Sequence, residues 1–287
     1  MANPVLSLAS WAARLLPVQA KRGLYKLGPL SGLIREGLNR AAPQGVVQTR
    51  VAGGGLSGFQ LYLDLQNEKD YWLGTYEHEL QAAIQDLVEE GGAAYDVGAN
   101  IGYISLLLAR KLGPGGKVYA FEALPANLER LEANLKINGL ATQVEVLQAA
   151  VVDRKRSVKF LVGPSGGMGK AEGSKGRKEF DYDRFIQVNG VSLDKFVYQD
   201  GKQPPQVVKM DIEGGEVLAL PGMKRILREA RPLVFLELHG PEAADAAWQA
   251  FGEAGYRICR MQPGYPEIVS RESLDWKAYV VAFPYER

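Results

Sequence analysis

The chain has 287 residues, long enough for one large α/β domain with additions and a sizeable buried core. A formal net charge of +1 with 23% charged residues lacks the basic excess of a dedicated nucleic-acid binder. The single Cys259 excludes an intramolecular disulfide and fits a reducing, cytoplasmic compartment, and with only His78 and His239 as imidazoles a multi-histidine metal site is excluded.

Residues 1–45 read as helical, with Val5, Leu8, Trp11, Ala12, Leu15 and Leu16 on one face and Lys21, Arg22 and Lys26 following. The plainer reading is a helix packed on its own domain or on a second subunit. The sharper one is a helix lying on a membrane surface, since basic residues flank an apolar face. No apolar run reaches the length of a membrane span. Met1 to Val18 lacks a positive n-region and is interrupted by Arg14, which argues against a cleaved signal peptide. Two alternating runs, Val46 to Ala52 and Phe59 to Leu65, are joined by Gly53-Gly54-Gly55 and predict a β-hairpin. A helix over about Glu77 to Glu89, stopped by Gly91-Gly92, leads into the first core strand. This pattern divides the chain into an extension over 1–75 and a main domain over 76–287.

From residue 93 strands and helices alternate, which predicts a doubly wound, mostly parallel sheet with helices on both faces. The strands fall at Ala93-Ala94-Tyr95, Val118 to Phe121, Val144 to Leu147 (continuing towards Asp153), Val207 to Met210, Leu233 to Leu238, Tyr256 to Cys259 and Tyr279 to Phe283. Between the third and fourth, Gly163 to Arg184 breaks the rhythm with Gly, Ser and Lys, and reads either as a mobile substrate-side loop or as a solvated excursion.

The first strand runs into Asp96-Val97-Gly98-Ala99-Asn100-Ile101-Gly102, and a helix follows. A glycine-rich turn there lets backbone approach a ligand and presents helix N-terminal N–H groups. The second strand ends in Glu122, whose carboxylate can accept both hydroxyls of a ribose. The turn lacks the second glycine of the dinucleotide pattern G-x-G-x-x-G, and Ala99 and Asn100 fill the space a pyrophosphate needs. This disfavours NAD and FAD and suits a nucleoside without phosphates, S-adenosylmethionine. The fourth strand ends in Lys209-Met210-Asp211-Ile212-Glu213-Gly214-Gly215-Glu216 and the fifth in Glu237-Leu238-His239. Strand alternation points Glu237 and His239 to one side, so adjacent strand ends bring Asp211, Glu213, Glu237 and His239 into one neighbourhood.

These stretches, with Phe121-Glu122-Ala123-Leu124-Pro125-Ala126-Asn127 between them, resemble the FkbM family of S-adenosylmethionine-dependent methyltransferases from about Tyr76 to Pro284. The resemblance implies a class I methyltransferase fold of seven strands with the last antiparallel. It also implies O-methylation of small molecules such as sugar hydroxyls of glycans and glycolipids or polyketide-type products. Carried over by position, Asp96, Gly98, Asn100 and Gly102 surround the methionine end of the cofactor, Glu122 takes the ribose, and Asp153 or a backbone group near it meets adenine. Asp211, Glu213 and His239 match the family's acidic and histidine positions, while Ala123 departs from a frequent proline. His239 is the first choice of base for the acceptor hydroxyl, since an imidazole titrates near neutrality, and Asp211 the second. Glu237 is assigned to substrate hydroxyls. His78, beside Glu77, reads as a surface or capping residue. A cation on Asp211 and Glu237 is not required by hydroxyl chemistry, and no metal is assigned. The alternatives are a catalytically silent scaffold, or a methyltransferase acting on protein or nucleic acid.

Overall fold

The computed structural model describes residues 8, 11–12, 29–163, 168–176, 182–275 and 278–285. The apolar face predicted around Val5, Leu15 and Leu16 lies outside the described residues, whereas Leu8 and Trp11 are described and exposed. Among the described residues no helix is long and apolar enough to cross a membrane.

A helix, α1 (Pro29–Ala41), leads into the predicted hairpin, β1 (Val46–Arg50) paired antiparallel with β2 (Gln60–Asp64). The hairpin forms its own two-stranded sheet, and Leu61 and Leu63 point into the same core as the central helices. Two short helices follow, α2 (Lys69–Leu73) and α3 (His78–Leu87), and then the doubly wound unit: β3 (Ala93–Val97), α4 (Tyr103–Leu112), β4 (Lys117–Glu122), α5 (Pro125–Ile137) and β5 (Val144–Val151). Helix α5 begins with proline at a position whose N–H needs no partner. Its buried Asn134 accepts from the Tyr62 N–H at 2.7 Å and donates to the Ile101 carbonyl at 2.9 Å. One side chain thus ties the hairpin to the turn after β3.

The chain then departs from the seven-strand expectation. It adds β6 (Arg156–Val162), a two-residue β7 (Lys170–Ala171) and β8 (Arg184–Val191) before α6 (Leu193–Tyr198) and β9 (Val207–Met210). After α7 (Glu216–Ala219) and α8 (Lys224–Glu229) come β10 (Leu233–Glu237), α9 (Pro241–Ala254), β11 (Tyr256–Arg260) and β12 (Tyr279–Pro284). Among the described residues, ten strands form this sheet in the order β11-β12-β10-β9-β3-β4-β5-β8-β6-β7. From β11 to β5 this is the predicted seven-stranded sheet. Strands β10, β9, β3, β4 and β5 are parallel, and β12 is antiparallel to both its neighbours. Strand β8 extends it in parallel on β5, and β6 and β7 complete an antiparallel edge. Two large cores cover the sheet, one including Leu106, Leu131 and Ile84, the other Phe121, Phe196 and Phe251.

The chain runs from β3 outwards through β4 and β5, then returns to the other side of β3 as β9. Strand order reverses there, and a crevice opens beyond the carboxyl ends of β3 and β9.

Candidate active site

The turn after β3 is shaped by its neighbours. The N–H groups of Gly98 and Ala99 both donate to the Phe121 carbonyl at 3.0 Å. Gly98 has φ +83, and a Cβ built there would lie 1.9 Å from the Asp211 carbonyl oxygen. No residue with a side chain fits that contact, so the glycine is what lets β3 and β9 end side by side. Asn100 also takes a left-handed conformation, φ 50, as Asn tolerates better than most residues.

Two buried charges brace this crossing from below. Asp96, fully buried, accepts from the Ser105 hydroxyl at 2.6 Å. Lys209 is its register partner on β9; its Nζ lies 3.6 Å from Asp96 Oδ1 and 3.8 Å from Asp211 Oδ2 and donates to the Gly98 carbonyl at 3.2 Å. Burial opposes the charge on Lys209, but Asp96 and Asp211 outweigh it and hold the ammonium on. The sequence motif contained Lys209, yet its part in joining the two strand ends depends on register, which no single stretch displays.

Glu122 is buried at the tip of β4. Its Oε2 accepts the Asn100 N–H and its Oε1 the Leu124 N–H, each at 2.8 Å. A carboxylate has about four acceptor directions, and the Asn127 side chain and the Ala123 N–H also donate to this one. Burial raises the Glu122 carboxyl, while the bonds from Leu124, Asn100 and Asn127 pull it down.

Around Glu122 lies a cleft lined by Gly98, Asn100, Phe121, Ala149, Ala150, Val151, Phe160, Gly169 and Ala171. Its far wall comes from the strands added to the sheet and from the described part of the Gly163–Arg184 segment. Residues 168–176 fold back over the site: Lys175 donates to the Gly214 carbonyl at 2.9 Å. Asp153 does not line this cleft. Its carboxylate faces Arg154 at 3.1 Å and Arg156 at 3.4 Å and opens onto a separate hollow beside Ser192 and Lys195. Ala149, Ala150 and Val151, at the end of β5, border the cleft instead. Asp153 falls outside because the chain turns away after β5.

A second compartment adjoins the first, and Tyr76, Asn100, Asp211 and Glu213 line both. Asp211, Glu213, Glu237 and His239 converge here as their strand positions require. His239 Nε2 lies 3.6 Å from Asp211, 3.9 Å from Glu213 and 3.5 Å from Glu237. Its Nδ1 contacts Glu216 Oε1 at 3.2 Å. Burial opposes charge on the imidazole, but Glu216 and Glu237 overcome it and push its pKa up to about 11. The Asp211 carboxyl is pushed up to about 7, chiefly by burial, with Lys209 opposing and Glu237 and Glu77 adding to the rise. One donor atom each from Asp211, Glu237 and His239 lies within 4.8 Å of the others.

Sequence reasoning missed several members of this wall: Glu77, Tyr76, Tyr71, Asp70 and Tyr279. Glu77 is held at φ 39, and its carboxyl is raised by burial, with Lys209 and Tyr76 opposing and Glu237 and Asp96 adding. Tyr71 and Tyr76 stack with ring centroids 4.1 Å apart. His78 pairs with Glu79 at the rim of the same compartment. The cue available in the sequence was the cluster of polar and aromatic residues over 70–79, which reads equally as an ordinary helix start.

A family described as the methyltransferase FkbM domain matches residues 96–258. The chain belongs to the FkbM methyltransferase family. The match begins at Asp96 and takes in Glu122, Asp211, Glu213, Glu237 and His239. S-adenosylmethionine is therefore the cofactor. The FkbM chain is also 25% identical over 187 residues to a hexuronic acid methyltransferase from Haloferax volcanii, covering 64% of this chain and 72% of that protein. Among solved structures it resembles a methyltransferase FkbM from Methylobacillus flagellatus (16% identity, TM-score 0.45), over 68% of this chain and 44% of that one; the match thus spans less than half of that protein. It also resembles the fibrillarin of Aeropyrum pernix solved with natively bound S-adenosyl-L-methionine (12% identity, TM-score 0.39), over 71% of this chain and 74% of that one.

Proposed function

We propose that this methyltransferase transfers a methyl group to a hydroxyl of a small, hydroxyl-rich molecule of the sugar type. The cofactor lies in the glycine-turn compartment and the acceptor in the acidic one. The observation that carries this reading is the shared wall, since Asn100, Asp211 and Glu213 border both compartments. When bound, S-adenosylmethionine supplies a methyl group on a positively charged sulfonium that needs no further activation. The protein's own task is to align a hydroxyl with that methyl, keep water out and take the hydroxyl proton. A well-placed proton acceptor contributes about 10²–10⁴-fold.

In this reading Asp96, Gly98, Asn100, Gly102 and Glu122 hold the cofactor, and Glu237 and Glu213 accept hydrogen bonds from acceptor hydroxyls. The hydroxyl proton leaves to the carboxylate wall that contains Asp211. His239 acts from behind that wall, because its ring is tied to Glu216 and its Nε2 faces carboxylates. The relative that acts on a hexuronic acid supports a carbohydrate acceptor. The extension over 1–75 takes part, since Asp70, Tyr71 and Thr75 line the acidic compartment. A cytoplasmic enzyme is the reading that the lone, buried Cys259 supports, and membrane-surface contact through residues 1–45 is the role their basic flank suits.

The test is methyl transfer from isotopically labelled S-adenosylmethionine to a panel of neutral sugars, amino sugars, uronic acids and polyketide-type alcohols, read by mass spectrometry. The expected result is an O-methylated product that Asp211→Asn abolishes. Cofactor binding without transfer to any hydroxylated acceptor, or transfer to protein or RNA instead, would overturn the reading.

A further inference from the structure

His239 is 6% exposed and is held from behind. Its Nδ1 meets Oε1 of Glu216, a fully buried carboxylate at the start of α7. This contact holds the ring proton on Nδ1, so that once a metal displaces the proton from Nε2 its lone pair points into the cluster, the arrangement in which histidines ligate metals. In front of Nε2 stand oxygens of Glu237 at 3.5 Å, Asp211 at 3.6 Å and Glu213 at 3.9 Å. All three spacings exceed the charge-assisted hydrogen-bond range of about 2.7–2.9 Å. A proton on Nε2 can serve one oxygen, whereas three converge on it. Two donors that are each about 2.1 Å from one metal, at tetrahedral to trigonal angles, stand about 3.4–3.6 Å apart. The Glu237 and Asp211 spacings match that value, and the donor atoms of Asp211, Glu237 and His239 all lie within 4.8 Å of one another.

We propose that Asp211, Glu237 and His239 bind a divalent first-row metal ion at the acceptor side of the cleft, with Glu216 as the positioning residue that fixes the histidine ring. The ligands come from the ends of two neighbouring strands, β9 and β10, braced by Lys209 on one side and Glu216 on the other. Four carboxylates (Asp211, Glu213, Glu216 and Glu237) surround the ring, so a dication reduces a charge excess that a proton only partly offsets. One imidazole with carboxylates is a donor set for ions such as Mn²⁺ or Zn²⁺ and not for thiophilic ones. The open side of such an ion faces the acidic compartment, where it would coordinate the acceptor hydroxyl. That role rests on the acceptor assignment above, but the binding site does not.

The test is titration of the full-length protein, stripped with a chelator, with Mn²⁺ followed by electron paramagnetic resonance, and with Zn²⁺ against an indicator dye. Calorimetry with S-adenosylmethionine runs alongside. The expected result is one dication per chain. Asp211→Asn and Glu237→Gln should each weaken it at least 10-fold and Glu216→Gln by about 10–100-fold, with Glu237→Gln and Glu216→Gln keeping cofactor affinity within about threefold. Thermal stability should rise with Mn²⁺ in the wild type and not in the Asp211→Asn/Glu237→Gln double variant. Absence of binding of both ions up to millimolar concentration, or equal binding by the double variant, would overturn the proposal. Failure of the wild type to bind S-adenosylmethionine would count against the proposed function while the metal stoichiometry is read independently.

Discussion

Substituting Gly98 by alanine tests how the cofactor turn and the acidic strand end are held together. The added Cβ would sit 1.9 Å from the Asp211 carbonyl oxygen and 3.1 Å from Ile212 Cγ2, at a residue with φ +83. A left-handed conformation costs a non-glycine residue about 1–2 kcal/mol, and overpacking adds about 1–3 kcal/mol. The expected loss is therefore about 2–5 kcal/mol, or roughly 5–15 °C in Tm for a chain of this size. The clash is with backbone, so the strand ends must separate by roughly 1 Å, a displacement that by itself can cost about 10²-fold in rate. Gly139→Ala is the control: φ is +71 there, but nothing lies within 4 Å of its Cβ, so only the conformational cost of about 1 kcal/mol applies. Thermal unfolding and calorimetry with S-adenosylmethionine distinguish the two. Gly98→Ala should bind the cofactor at least 10-fold more weakly, and Gly139→Ala should bind it normally. Equal stability losses with cofactor affinity intact in both would refute the reasoning.

Glu122→Gln should weaken S-adenosylmethionine binding at least 10-fold in calorimetry, because hydrogen bonds to a charged acceptor are worth about 1.5–3 kcal/mol. The same variant has a pH signature. Burial raises the folded Glu122 carboxyl above 4.5, so the stability it contributes is present below that pH and is lost as pH rises through the folded value; a Tm–pH curve should show this slope in the wild type and not in Glu122→Gln. Asn134→Ala should cost about 2–4 kcal/mol, since it removes the partners of the Tyr62 N–H and the Ile101 carbonyl; denaturant unfolding checks it, and a loss under 0.5 kcal/mol would contradict the bracing role.

Most of the central sheet was legible in the sequence because each core strand is a short apolar run bounded by turn residues, and each helix carries a periodic apolar face. The added strands β6 and β8 were not. Their burial alternates weakly, with Arg184, Phe185 and Gln187 exposed, so they lack the continuous apolar signal of the buried strands. The convergence of Asp211, Glu213, Glu237 and His239 was legible, because parallel neighbouring strands end together. Their energetics were not. The Glu216 contact turns His239 from an apparent free imidazole into a ring fixed among carboxylates, and that depends on a helix packing behind the strand ends. Asp153 shows the converse limit: proximity in sequence to a strand end did not predict its direction, because the chain turns away after β5. Glu77 and Tyr279 reach the compartment from elements on either side of residues 96–258, so only the folded chain displays them together.

In the proposed reaction the cofactor and the acceptor meet between the Gly98 turn and the Asp211 strand end. A crystal structure with S-adenosylhomocysteine tests it most directly. The expected result is ribose hydroxyls within hydrogen-bond distance of Glu122, the amino-acid end beside Gly98 and Asn100, and the sulfur directed towards the compartment of Asp211 and His239. A nucleoside bound elsewhere, or a sulfur directed away from that compartment, would contradict it.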